Sequence, residues 1–504
     1  MNLSDFLNAS MSDWIRFFLF CFGIVFFIGL AEKTRSHLGW SPEVTRKLVH
    51  VLTGLLVFFS PYFFSQPAPL LWMAILFIFV NAAGIRSGKL KGMHDTSRTS
   101  YGTVFYPLSF FLLVLFCWHG QKTVLMLSML ILAISDAAAA IVGENLKKPH
   151  EYKLGRDKKS IEGSSTMLGT AFLLVLILLP LVARIDGRVV SGISVAGIAL
   201  ATACIATAFE ALSSGGSDNL STPLGAAFVL YFLLNQPEAM QEQFYIGLGL
   251  AFAIAVLSYT LHFLTASGSV ATFILATFIF GAGGWSWTIP ILVFFILSSL
   301  LSKVGKKAKS KFTLMFEKSS RRDVGQVIAN GGVAGSMIVG SVLIPHPFWY
   351  LGYLAALAAV TADTWATELG VFSTQTPVSI KTWKTVDAGT SGGITLLGIF
   401  AAIAGAALIG LSGLWMSQSI TYNTIGWIVF AGLLASLVDS VLGATIQAQY
   451  QCPICLKATE RRVHCDGQKT KQTSGLAWLN NDWVNLFCAM SGVLVMWVCW
   501  LFFI

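Results

Sequence analysis

ISDAAAAIVGE (134–144) sets one aspartate, Asp136, in an otherwise apolar run. The run, taken over 122–143, has the length that crosses a bilayer as a helix. A carboxylate at such a place costs about 2.5–3.5 kcal/mol on insertion scales, so it marks a bundle interior or a function. TADTWATELG (361–370) repeats the pattern, with Asp363 in a second apolar run. The pair points to a membrane protein built from two copies of one plan.

The rest of the chain agrees. Its 504 residues are 55% hydrophobic and 11% charged, where soluble domains carry roughly 25% charged residues. The apolar runs predict an all-α, polytopic integral membrane protein of about sixteen spans in two tandem eight-helix domains, 1–238 and 239–504. Span limits include 269–283 and 285–302. Loops 32–47, 86–102, 144–163, 303–323, 371–391 and 448–485 hold nearly all the Lys and Arg and fall on one side of this ladder. The positive-inside rule then places them in the cytoplasm, with both termini outside and the chain in an inner or plasma membrane. The net charge of +9 is accounted for by topology, and no nucleic-acid partner is expected. The first run, Trp14–Leu30, lacks a small-residue cleavage site and reads as a span.

Further correspondences support the duplication. KKSIEGSST (158–166) follows the first acid-bearing span, and KTVDAGTSGG (384–393) follows the second. On this reading Lys159 pairs with Lys384 and Glu162 with Asp387, each acid three residues beyond its lysine. Glu210 pairs with Asp439, and SDNLSTP (217–223) with NNDWVN (480–485), after an insertion.

Intramembrane acids beside loops rich in Lys, Ser, Thr and Gly suit a nucleotide–Mg²⁺ site. Carboxylates hold the cation, Lys supplies point charge, and Gly lets backbone N–H groups approach phosphate oxygens. Hydroxyls at a helix start add donors where the dipole favours an anion. The candidate catalytic acids are Asp136, Glu162, Glu210, Asp363, Asp387 and Asp439. Candidate phosphate ligands are Lys159, Ser160, Gly163, Ser164 and Asn219 in one copy, and Lys384, Gly389, Thr390, Ser391 and Asn481 in the other. Asp136, Asp218, Asp363 and Asp482 are the candidate Mg²⁺ ligands, and which acid takes a proton stays open. GRDKKS lacks the Walker A spacing. His50, in RKLVHVLTG (46–54), reads as an interface anchor. CPICLKATERRVHC (452–465), in a Cys-rich loop near 450–480, offers Cys452, Cys455, His464 and Cys465 to a structural zinc ion.

The first half resembles the phytol kinase/dolichol kinase family through RKLVHVLTG, YGTVFYPL, SDAAAAIVGE, KKSIEGSST, Glu210 and the Asp218, Asn219, Pro223 triplet. The second half resembles the family containing plant phytyl-phosphate kinase. It does so through LTASGSVATF (264–273), RRDVGQVIANGG (321–332), ADTWATELG, KTVDAGTSGG, LVDSVLGATIQ (437–447) and LNNDWVN (479–485). The resemblance implies a bifunctional membrane kinase that carries an isoprenoid alcohol such as phytol to its monophosphate and then to its diphosphate. It implies CTP as phosphoryl donor, Mg²⁺, and a product used in tocopherol- or quinone-type prenylation. A CDP-lipid-forming nucleotidyltransferase and a secondary transporter with parallel repeats are the competing readings.

Overall fold

In lipid the backbone has no other partner for its N–H and C=O groups, so apolar runs become helices. The computed structural model is described over residues 8–39, 42–87, 100–190, 192–303, 321–387, 389–417, 420–456, 458–465 and 467–503. It divides into two units, Met1–Pro237 and Glu238–Ile504. Most of the basic loops 86–102 and 303–323 lies outside the described residues.

The first unit runs α1 (Met11–Leu38), α2 (Pro42–Phe63), α3 (Ala68–Ser87), α4 (Gly102–Cys117) and α5 (Lys122–Asn145). A hairpin of β1 (Glu151–Tyr152) and β2 (Lys159–Ser160) follows, then α6 (Ile161–Val182), α7 (Ile193–Leu212) and α8 (Asp218–Asn235). Helix α5 is the buried centre: Val124–Leu127 and Met129–Ala133 have almost no exposure. Across Ile131–Asp136 it widens into a π-helical turn that ends on the intramembrane aspartate. Such turns shift the helical hydrogen bonds by one residue and often sit at functional sites. His50 of α2 takes the Leu132 carbonyl there, Nε2 to O at 3.1 Å, and its ring lies edge-on to Tyr106. His50 therefore packs against the π turn instead of anchoring an interface.

The second unit runs α9 (Glu238–Thr260), α10 (Ala266–Lys303), α11 (Val324–Leu343), α12 (Phe348–Gly370), the hairpin β3 (Val378–Ser379) and β4 (Gly393–Ile394), α13 (Leu396–Met416) and α14 (Tyr422–Thr445). A small ribbon follows, of β5 (Gln449–Gln451), β6 (Ala458–Thr459), β7 (Val463–His464), β8 (Gln468–Lys469) and β9 (Lys471–Ser474), before α15 (Asn481–Phe503). Helix α10 breaks at Gly284, whose φ of 64° and ψ of −157° only glycine adopts readily. The whole of Ala266–Lys303 counts as one candidate span of 38 residues, where the sequence predicts two, 269–283 and 285–302. The buried centre is α12, where Tyr353 and Leu354–Ala359 are essentially unexposed. Gly432 of α14 and Gly492 of α15 lie against the backbone of Ala358 and Ala355, the small-residue packing that brings membrane helices close.

The chain is thus an all-α polytopic membrane protein. Among the described residues, twelve helices are long and apolar enough to cross a bilayer, and Gly102–Cys117 is a shorter apolar helix. The count of sixteen crossings is not established. In each unit an acid-bearing helix leads through a two-residue-strand hairpin into a capped helix, then a second acid-bearing helix, then a helix with an Asp in its first turn.

A Cβ added at Gly54 would collide with Ala133 of the π turn. Gly54→Val is therefore expected to destabilise the protein by about 1–3 kcal/mol, read as a lowered melting temperature in detergent.

Candidate functional site

In the first unit four charged groups converge from four elements. Asp136 closes the π turn of α5, Lys159 lies on β2, Glu210 sits near the end of α7, and Asp218 opens α8. The Lys159 ammonium donates to Glu210 and lies 3.9 Å from Asp218 Oδ2. Asp136 is within electrostatic range of Asp218, Lys159, Glu210 and Arg46. Burial alone would push the Lys159 ammonium down, but Glu210, Asp218 and Asp136 raise it above the usual lysine range, so it stays charged. Glu210 is buried, and its Oε2 has no hydrogen-bond partner.

The local sequence explains why these groups meet. Ser160 is extended and caps α6 by accepting the Gly163 N–H at 3.1 Å. Gly143, at the end of α5, lies directly on Ser160 and Gly163, where a Cβ would reach 2.7 Å from Ser160 Oγ. The lysine beside the cap is thereby fixed next to the acids. Asp157 accepts the Gly215 N–H at 2.8 Å, tying the hairpin to the turn between α7 and α8. Gly216, at φ 87°, brings that turn against the backbone of Gly102. Asn219 donates to the Gly102 carbonyl at 2.8 Å; it fastens α8 to α4. Ser164 shares a 2.6 Å hydrogen bond with the Tyr152 hydroxyl. Glu162 faces away from the cluster, accepting from His150 Nδ1 at 2.6 Å and from its backbone N–H.

In the second unit Asp363 of α12 and Asp439 of α14 lie within electrostatic range of one another. Among the described residues, Asp363 and Glu460, both acids, lie within electrostatic range of Asp439. Asp439 Oδ2 is buried without a hydrogen-bond partner. Asp482 lies in the first turn of α15. Asn481 is the first residue of that helix, but the capping side chain is Asn480, whose Oδ1 accepts the Trp483 N–H at 3.2 Å.

The hairpin departs from the correspondence expected from sequence. Thr395 caps α13 by accepting the Gly398 N–H at 3.0 Å, and Gly370 at the end of α12 lies on Thr395 and Gly398. The cap contacts thus match Ser160 with Thr395, Gly163 with Gly398 and Gly143 with Gly370. Ile394 then stands at the place of Lys159, and Leu397 at that of Glu162. Lys384 and Asp387 are exposed on the loop between β3 and β4. Thr390 donates its N–H to the Asp387 carbonyl, and Gly389 takes a φ of 89°. Ser391 meets Gln447 at 3.4 Å, and Gly392 packs on Ser440 and Ala444 of α14. The loop therefore touches the helix carrying Asp439 without putting a lysine among its acids. The signal that reads this correctly is Ser/Thr-x-x-Gly before an apolar run. Glu460, which sequence reading passed over, has no comparable signal.

The chain matches the family described as Integral membrane protein DUF92 over residues 249–493. It is 33% identical to Protein PGR of Arabidopsis thaliana over 258 residues, which cover 46% of this chain and 87% of that relative. The chain belongs to this family of integral membrane proteins. It is also 34% identical over 210 residues to the Phytol kinase of Synechocystis, covering 40% of this chain and 84% of the relative. The resemblance to the phytol kinase family read from its motifs accordingly stands. Protein VTE6, chloroplastic, of A. thaliana is 26% identical over 239 residues, 46% of this chain and 64% of the relative. No solved structure matches the chain.

Removing one member of a buried ion pair strands the other charge. Lys159→Met should lower unfolding stability by about 3 kcal/mol, and adding Glu210→Gln should recover much of the loss. A thermal-unfolding double-mutant cycle checks this; additive losses would contradict the pairing.

Proposed function

We propose that the chain is a membrane-embedded isoprenoid kinase with two sites. The domain 1–238 phosphorylates a prenol such as phytol, and the domain 239–504 phosphorylates the resulting monophosphate. The observation that carries this reading is one acid–hairpin–capped-helix arrangement occurring twice with different charge settings. In one copy Lys159 stands among Asp136, Glu210 and Asp218; in the other Asp439 lies within electrostatic range of Asp363 and Glu460. A relative named Phytol kinase supports the substrate class.

The acids suit a divalent cation. Glu210 Oε2 and Asp439 Oδ2 are buried without hydrogen-bond partners, and Mg²⁺ is held by one or two carboxylates together with substrate phosphates. Asp136, Asp218 and Glu210 would hold it in the first domain, and Asp363, Asp439 and Asp482 in the second. When bound, the cation neutralises charge on the nucleotide phosphates. Phosphoryl transfer asks little else of the protein beyond positioning and charge. Lys159 adds a fixed positive charge beside the start of α6, where the helix dipole favours an anion such as a phosphate. An alcohol acceptor is neutral, so one ammonium and one divalent cation answer the charge of the donor. A monophosphate acceptor brings its own negative charge, which puts the greater demand on metal in the second domain.

Glu162 and Asp387, turned to the outside, are poorly placed as bases. This leaves Asp136 and Glu210 for the alcohol, and Asp363 and Asp439 for the second step. CTP as donor and a cytoplasmic orientation of both sites complete the proposal; the orientation rests on the one-sided distribution of basic loops.

Purified protein given Mg²⁺, CTP and phytol should yield phytyl diphosphate through the monophosphate. Asp136→Asn should abolish the first step alone, with phytyl phosphate still converted, and Asp363→Asn should leave monophosphate accumulating. Products are resolved by chromatography with mass detection. A CDP-lipid with release of diphosphate would assign a nucleotidyltransferase instead. Absence of any prenyl phosphate across several alcohols and nucleotides would refute the kinase reading.

A further inference from the structure

The ribbon between α14 and α15 holds a second cluster, separate from the carboxylates in its chemistry. Cys452 and Cys455 lie on the loop of the β5–β6 hairpin, where Tyr450 pairs with Thr459 and Gln451 with Ala458. His464 ends β7 and Cys465 follows it, in the turn of the β7–β8 hairpin that pairs Val463 with Lys469. The two hairpin tips meet. One ligand atom from each of the four residues lies within 4.8 Å of every other. His464 Nδ1 is 3.5 Å from Cys455 Sγ and 3.1 Å from Cys465 Sγ.

The cluster has the features of a metal knuckle. Cys452 is fully buried and His464 nearly so. Leu456, just after the second cysteine, and Cys465 both take positive φ, 59° and 38°, as a chain does when it curls around a centre. Three sulfurs and one imidazole around zinc, at about 2.3 and 2.0–2.1 Å, stand about 3.5–3.8 Å apart. Sub-ångström movements of the present positions reach that shape.

We propose that Cys452, Cys455, His464 and Cys465 bind one tetrahedral zinc ion that is structural and closed to substrate. Its consequence lies in what the two knuckles enclose. The segment between them carries Glu460, which lies within electrostatic range of Asp439. The ribbon also closes the chain from α14 to α15: the Leu476 N–H bonds to the Ile446 carbonyl, and the Ala448 N–H to that of Leu479. The ion thus pins a short β-ribbon whose two ends lead to the helices of Asp439 and Asp482. Zinc holding here is independent of the phosphoryl-transfer reading.

The test is metal analysis of the full-length chain, purified in detergent with a tag that is not metal-chelating, from zinc-supplemented cells. About one zinc per chain is expected, with a three-sulfur, one-nitrogen first shell at the zinc K edge. Cys452→Ser/Cys455→Ser should reduce zinc to background. The wild-type edge spectrum tests the site even where that variant fails to fold. Less than about a tenth of an equivalent of zinc, an oxygen-dominated shell, or zinc undiminished in a folded double variant would each overturn the proposal.

Discussion

Lys159 reaches Glu210 and Asp218 from a two-residue strand, and Asp136 lies within electrostatic range of all three. Much of the first unit follows from the need to keep these charges together. A carboxylate in an apolar helix is tolerable only when it faces the bundle interior and finds a partner. The partner must come from outside the membrane segment, because a lysine inside it would carry its own cost. A hairpin that ends on a helix cap meets the requirement: the cap sets the height of the strand, and the strand sets the lysine. Gly143, Gly216 and Gly102 serve the same end by letting backbone segments close on one another.

The second unit keeps the scaffold and changes the charge. Thr395 and Gly398 repeat the cap, yet Ile394 occupies the lysine's place and the acids face one another. Carboxylates brought close together repel unless a proton or a cation stands between them. A similar cap and hairpin bring a lysine among the acids in the first unit and an isoleucine to that place in the second. The two units thus share a helix cap and differ in the side chain just before it, Lys159 in one and Ile394 in the other.

The class of the fold was legible because hydropathy reports burial in lipid directly. Asp136 and Asp363 were legible for the same reason, as charges where none is cheap. The hairpin was not. Matching lysine to lysine aligned Lys159 with Lys384, whereas steric contact aligns Ser160 with Thr395. The charge pattern misled because the loops between paired strands differ in length, 153–158 against 380–392, so spacing counted from the aspartate drifts. The π turn at Ile131–Asp136 escaped detection because it has no composition of its own; only the contact between His50 and the Leu132 carbonyl reveals its purpose. The Cys/His cluster was visible as spacing, but that its two halves sit on facing hairpin tips is tertiary information.

Those two hairpins carry one more consequence. Each is held by a ladder of only two residue pairs, and its inner strand runs straight into a capped helix. The segment between the strands is tethered at chosen points: Asp157 accepts the Gly215 N–H in the first unit, and Ser391 meets Gln447 in the second. Between such tethers residues can be added or lost at modest cost, since loop closure grows only slowly more costly with length. The loop is thus the part of each unit most easily resized. The longer second loop, folded back on α14 through Gly392, is an instance of that freedom already used.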